Sequence, residues 1–105
     1  MSKRPAGGTR PAGSYSPGIV AEGRFVYVSG QGPFREGEIV GLTAGEQTRV
    51  VLENVAAVLA EAGASLSDVV RPLPARTTVG AVLPRPGMRV EIDCVAVLPD
   101  RQGEQ

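Results

Sequence analysis

Histidine and tryptophan are absent from this 105-residue sequence, cysteine occurs once, and two Phe and two Tyr are its only aromatic residues. Each shortage excludes chemistry. Without histidine, Ser-His-Asp and Cys-His nucleophilic catalysis have no general base. Cys94 alone supplies too few soft ligands for a zinc or similar site, so no metal is expected. A single cysteine cannot close an internal disulfide, which fits a reducing compartment, and a cytoplasmic location is the expectation. Lys plus Arg number 11 and Asp plus Glu number 11, so no excess charge draws the chain to nucleic acid or to an anionic membrane. The aromatics are too few for a base-stacking platform. No apolar run approaches the ~20 residues of a membrane span. Met1–Gly18 carries Lys3, Arg4 and Arg10 without an apolar stretch of the signal-peptide kind. Nucleic acid and membrane are both set aside as partners.

Carboxylates, arginines, tyrosines, hydroxyls and backbone dipoles remain for any catalysis. The length suits one domain, since domains run to roughly 100–200 residues. At this size a core is modest, and subunit association commonly completes it. Met1–Gly13, rich in Pro and Gly, reads as a flexible tail, 14–99 as a single domain, and Asp100–Gln105 as a second tail.

Within the domain, Ile19–Ala21 and Arg24–Ser29 are β-rich runs about Glu22-Gly23, which predicts a hairpin. Phe25, Tyr27 and Ser29 should face one way, Val26 and Val28 the other. Gly30-Gln31-Gly32-Pro33 then breaks the ladder, and Glu38–Val40 is a brief third strand. Thr43 and Glu46 have the spacing of a capping box, opening a helix that Gly63 ends. Its apolar stripe is Val51, Val55, Val58, Leu59 and Ala62. Leu66–Val70 leads toward a strand that Pro72 and Pro74 stop. Thr77–Val82 reads as a strand, Leu83–Gly87 as a turn, and Met88–Leu98 as a long last strand in which Val90, Ile92, Cys94 and Ala96 face inward. Strands with one single-faced helix predict an α/β (α+β) subunit, a sheet covered on one side.

Arg76 and Glu91 stand out as chemistry. Arg76 opens one strand and Glu91 lies on the strand that a short turn joins to it. An arginine fork grips a carboxylate with two hydrogen bonds, and a glutamate can hold and activate a water. Most strand arginines and glutamates simply meet solvent, and that plain reading has the higher prior. Tyr15 reads equally as an anchor for the tail or as part of a site. Gly30 and its glycine-rich neighbours can turn backbone N–H groups toward an anion, although a plain turn is the commoner use of such a run. Cys94, alternating with apolar neighbours, is expected to be a buried, inert thiol.

In this order the pieces resemble one family. Tyr15-Ser16-Pro17-Gly18 and Val26-Tyr27-Val28-Ser29-Gly30-Gln31 are similar to the opening of RidA (YjgF-type) proteins, the reactive-intermediate imine/enamine deaminases. Asn54 with Ala62–Val70 resembles that family's first helix and its exit. Pro74-Ala75-Arg76-Thr77-Thr78-Val79 and Val90–Ala96 resemble its C-terminal signature. The resemblance implies a chorismate-mutase-like subunit, a homotrimer with sites in the clefts between subunits, and hydrolysis of 2-imino or enamine acids to 2-oxo acids and ammonia. It implies that Arg76 binds the substrate carboxylate and Glu91 positions the attacking water. Tyr15 would line the pocket, the Gly30 backbone would fix the substrate, and the backbone carbonyl of Thr78 would orient the imine nitrogen. No cofactor is expected, because an imine carbon is already electrophilic. One departure is large: only Arg71-Pro72-Leu73 stands where the family has a full strand and a second helix, so the chain reads as shortened near 70–74, in the order β-β-β-α-β-β. The alternative reading is therefore a truncated, non-catalytic oligomerisation or interaction protein that keeps the sheet and has lost the site.

Overall fold

The structure is a computed structural model, and it describes residues 2–9, 17–71 and 83–99. Strands β1 (Ser2–Ala6) and β2 (Gly18–Glu22) pair antiparallel, from Ser2 opposite Glu22 to Ala6 opposite Gly18. Two sequence expectations are corrected here. Ser2–Ala6 is strand, not tail, and β2 takes β1 as its partner instead of forming a hairpin with the strand that follows it. Pro5, which cannot donate to a ladder, hid β1 from the sequence. In a two-stranded ribbon it has an open edge to face.

Strand β3 (Phe25–Gln31) enters a second sheet. Next, β4 (Phe34–Arg35) and β5 (Glu38–Ile39) form a small hairpin. Glu36 and Gly37 link them, both at positive φ (52° and 83°), the sign a two-residue primed turn requires. The expected third strand thus exists, but it pairs locally.

Helix α1 (Ala44–Glu61) is capped at both ends. The Thr43 hydroxyl accepts from the Glu46 N–H at 3.1 Å, and the Glu46 carboxylate accepts from the Leu42 and Thr43 N–H groups at 2.7 and 3.1 Å. The Leu42 N–H, then that of Thr43, holds the Glu46 carboxyl below its ordinary value of 4.5. At the far end Gly63 adopts φ +87°, its N–H reaches the Ala60 carbonyl, and the Ala64 N–H reaches that of Leu59. That pair of bonds is a Schellman closure. Val51, Val55 and Leu59 are buried as expected. Val58 is 38% exposed and Ala62 is open to solvent, whereas Val50 and the polar Gln47 are buried. The stripe is rotated toward the helix N-terminus because Gln47 has partners inside.

After a 3-10 turn at Leu66–Asp68 comes β6 (Val69–Arg71), the stub of the strand that the prolines were expected to stop. The last strand, β7 (Ile92–Val97), is shorter than the expected Met88–Leu98. It lies between β3 and β6 and pairs antiparallel with both. The expected Thr77–Val82 strand falls outside the described residues. Helix α1 packs on one face of this three-stranded sheet. Val28, Val51, Val55, Leu59, Ala64, Val69, Cys94, Ala96 and Leu98 form the core, with Val26, Val90 and Ile92 packed against it. The fold is α+β, with the helix on one face.

Candidate functional site

The site begins with a fault in the β3–β7 ladder. Val28 pairs with Cys94 and Gln31 with Ile92, so Ser29 and Gly30 together stand opposite Asp93 alone. Two residues against one is a β-bulge, a device that bends a strand and re-aims its side chains. At this point Gly30 meets Glu91, which lies one residue before β7. A Cβ added to Gly30 would overlap the Glu91 carboxylate and sit 2.8 Å from its carboxyl carbon. With glycine here the backbone of β3 and the acid meet directly, whereas a larger residue would make the Glu91 side chain swing aside. Glu91 and Asp93 are exposed and alternate with the inward Val90, Ile92 and Cys94, so the carboxylate lies on the sheet face opposite α1. On that face Phe25 and Tyr27, 42% and 76% exposed, stack at a tilt with centroids 6.3 Å apart.

Two buried or half-buried amides tie the surroundings to α1. The Gln47 side chain, 1% exposed, donates to the carbonyls of Gly41 at 3.2 Å and Gly87 at 3.0 Å, and its oxygen accepts from the Arg89 N–H at 2.8 Å. Asn54 donates to the carbonyls of Gly32 at 2.9 Å and Phe34 at 3.0 Å. The turn before Met88 is held from its other side. Arg85 donates to the Gly37 carbonyl at 3.1 Å and lies over the Phe34 ring, 4.8 Å from the centroid.

Of the residues singled out from sequence, the structure brings Gly30 and Glu91 together. Tyr15, Arg76 and Thr78 lie outside the described residues. Cys94 is buried, and burial pushes its thiol up, with the nearby Asp93 charge adding to the shift, so it is a poor nucleophile. Sequence reasoning passed over Gln47 entirely and noticed Asn54 only as part of a resemblance. The missed signal was a polar residue one turn ahead of Val51 on an apolar face, which must find buried partners. Among the described residues no cluster of three or more His, Cys, Asp or Glu is arranged to hold a metal. No helix among them is long and apolar enough to cross a membrane.

A helix-backed antiparallel sheet places the chain in the α+β class; comparison supplies the family. The family described as "Endoribonuclease L-PSP" matches residues 7–72. A RutC family protein of Pyrococcus abyssi is 50% identical over 64 residues, covering 59% of this chain and half the length of that protein. The mitochondrial protein mmf2 of Schizosaccharomyces pombe is 34% identical across 91% of this chain and 98% of its own. Among solved structures, a Rid-family protein of Yersinia pestis described as of unknown function superposes at TM-score 0.77 with 25% identity, over 93% of this chain and 100% of that one. A YjgF-family protein of Neisseria meningitidis gives TM-score 0.63 with 32% identity, over 96% and 98%. This chain belongs to the endoribonuclease L-PSP family, whose members also carry the Rid, RutC and YjgF names. The alignment with mmf2 occupies 125 positions against a chain of 105 residues, so that relative carries residues this chain lacks. The family match ends at Pro72, within the 70–74 stretch of the sequence reading.

Proposed function

We propose that this chain hydrolyses 2-imino or enamine acids to 2-oxo acids and ammonia, as a homotrimer acting on a small imino acid in the cytoplasm. The observation supporting this most is the Glu91 carboxylate lying against Gly30 at the bulge in a chain of this family. A water bound by Glu91 attacks the imine carbon, its oxygen forming the new bond while the C=N π pair moves to nitrogen. Glu91 takes the proton released by the water and returns it to that nitrogen. The amino-alcohol then collapses, its hydroxyl proton passing to the departing nitrogen, and the C–N pair leaves with ammonia. In this reading Arg76 holds the substrate carboxylate, Tyr15 lines the pocket, the Gly30 backbone fixes the substrate and the Thr78 carbonyl orients the imine. Orientation is the main service required, since the carbon is electrophilic without a cofactor. The exposed Phe25 and Tyr27 are consistent with a sheet face covered by other subunits. The ribonuclease name of the family suits this composition less well, for the chain has no histidine and no net positive charge.

A second reading, a non-catalytic interaction protein, is favoured by one observation. Gly45, Thr48, Leu52 and Ala56 of α1 line an open groove with Leu66, flanked by the charged Arg49 and Glu53, and its apolar floor is a surface of the kind that marks interfaces. One experiment separates the two. An amino-acid oxidase generates 2-iminopropanoate or 2-iminobutanoate in situ, and 2-oxo acid release is compared among wild type, Arg76→Ala and Glu91→Gln. The deaminase reading expects each variant to lose about 10²-fold or more. Wild type no faster than buffer would remove it in favour of the second.

A further inference from the structure

We propose that Gln47 and Asn54 are positioning residues, which together set the approach of the Glu91 carboxylate to the Gly30 backbone. The inference rests on the deaminase reading for its kinetic consequence and on geometry alone for its structural one. At the bulge Gly30 has no regular partner, and the ladder resumes only at Gln31 and Ile92, the neighbours of Gly30 and Glu91. A further restraint comes from α1. Gln47 binds Arg89, two residues before Glu91, and the Gly87 carbonyl two residues further back. Asn54 binds the carbonyl of Gly32, two residues beyond Gly30.

The two amides stand seven residues apart, so they project from the same side of the helix about 10 Å apart along its axis. One rigid element therefore grips both partners of the close approach. The contact is close, because a methyl added at Gly30 would overlap the acid unless the Glu91 side chain moved aside. Gln47 is nearly inaccessible and uses both ends of its amide, which an incidental surface contact would not. Gly41 completes the seat: at φ +108°, with an added Cβ only 3.1 Å from the Gln47 Cγ and N, it is restricted to glycine.

The test is a double-mutant cycle. Gln47→Met keeps the length of the side chain and removes its hydrogen bonds, and Asn54→Ala removes the second grip. Each is expected to lower kcat about 10-fold, with KM changed less than about twofold. In a Glu91→Gln background each should cost less than about twofold more, since a residue acting through Glu91 has nothing left to position. The same loss in both backgrounds, as a merely structural role would give, overturns the proposal. The Gly30 amide resonance supplies a readout that needs no turnover: movement in both variants supports the inference, and an unmoved resonance overturns it. An inactive wild type would sink the deaminase reading alone, with the Gly30 resonance still deciding this one.

Discussion

Helix α1 and the β1–β2 ribbon are both regular structure, but different forces hold them. The helix carries a capping box, a Schellman closure and a buried stripe against the sheet. The ribbon has a complete antiparallel ladder, yet none of its described residues is buried. Among the described residues, the Lys3 ammonium ties it to the rest of the chain, donating to the carbonyls of Ser67 and Val69. A ladder gives a segment its shape; buried apolar area gives it stability. The candidate site draws on the first region, for Gln47 and Asn54 both sit on α1.

The largest test of this contrast is a pair of truncations. Leu59 is fully buried, and Leu59→Ala should cost about 2–5 kcal/mol, read as a fall in the urea midpoint. Val20 of the ribbon is 45% exposed, and Val20→Ala should change stability by less than about 0.5 kcal/mol. Equal costs would break the comparison, because the ribbon would then be part of one cooperative core.

The same contrast explains what the sequence disclosed. The features of α1 are written locally: Thr43 three residues before Glu46, Gly63 after the last turn, Val51, Val55 and Leu59 at helical spacing. The inward and outward faces of β3 follow from period-two alternation in the same way. β1 was not legible because its pairing is non-local and Pro5 argues against it. The bulge was invisible as well, since it exists only as a difference in register between two strands distant in sequence. Glu91 could be chosen by type and alternation, but its closeness to Gly30 is a product of that register. Gln47 was misjudged because periodicity sorts residues by polarity, whereas its burial depends on carbonyls supplied by Gly41 and Gly87.

A smaller effect sharpens the local side of the comparison. Thr43→Ala removes an N-cap hydroxyl and should cost about 1 kcal/mol. Its partner Glu46 adds a pH dependence. Because its carboxyl is held below 4.5 in the folded chain, the stabilisation is present above the unfolded-state value and is lost as pH falls through the folded one. Stability should therefore drop in acid below about pH 4.5, and Glu46→Gln should flatten that part of the curve while leaving its shape near neutrality unchanged. An unaltered acid limb in Glu46→Gln would show that other carboxylates govern the transition.

The smallest expected effect isolates the ribbon. Lys3→Met keeps the length of the side chain and removes the ammonium that reaches Ser67 and Val69. An exposed charged contact contributes little to global stability, so the melting temperature should move by about a degree or less. The amides of Ser2–Ala6 and Gly18–Glu22 are another matter. Their exchange is governed by local opening, and without the tie the ribbon can lift away while the core stays closed. Hydrogen exchange should therefore accelerate in those two strands and stay unchanged at Val51, Val55 and Leu59. Acceleration spreading equally into α1 would mean that the ribbon and the helix open as one unit, and that the distinction between them is only one of appearance.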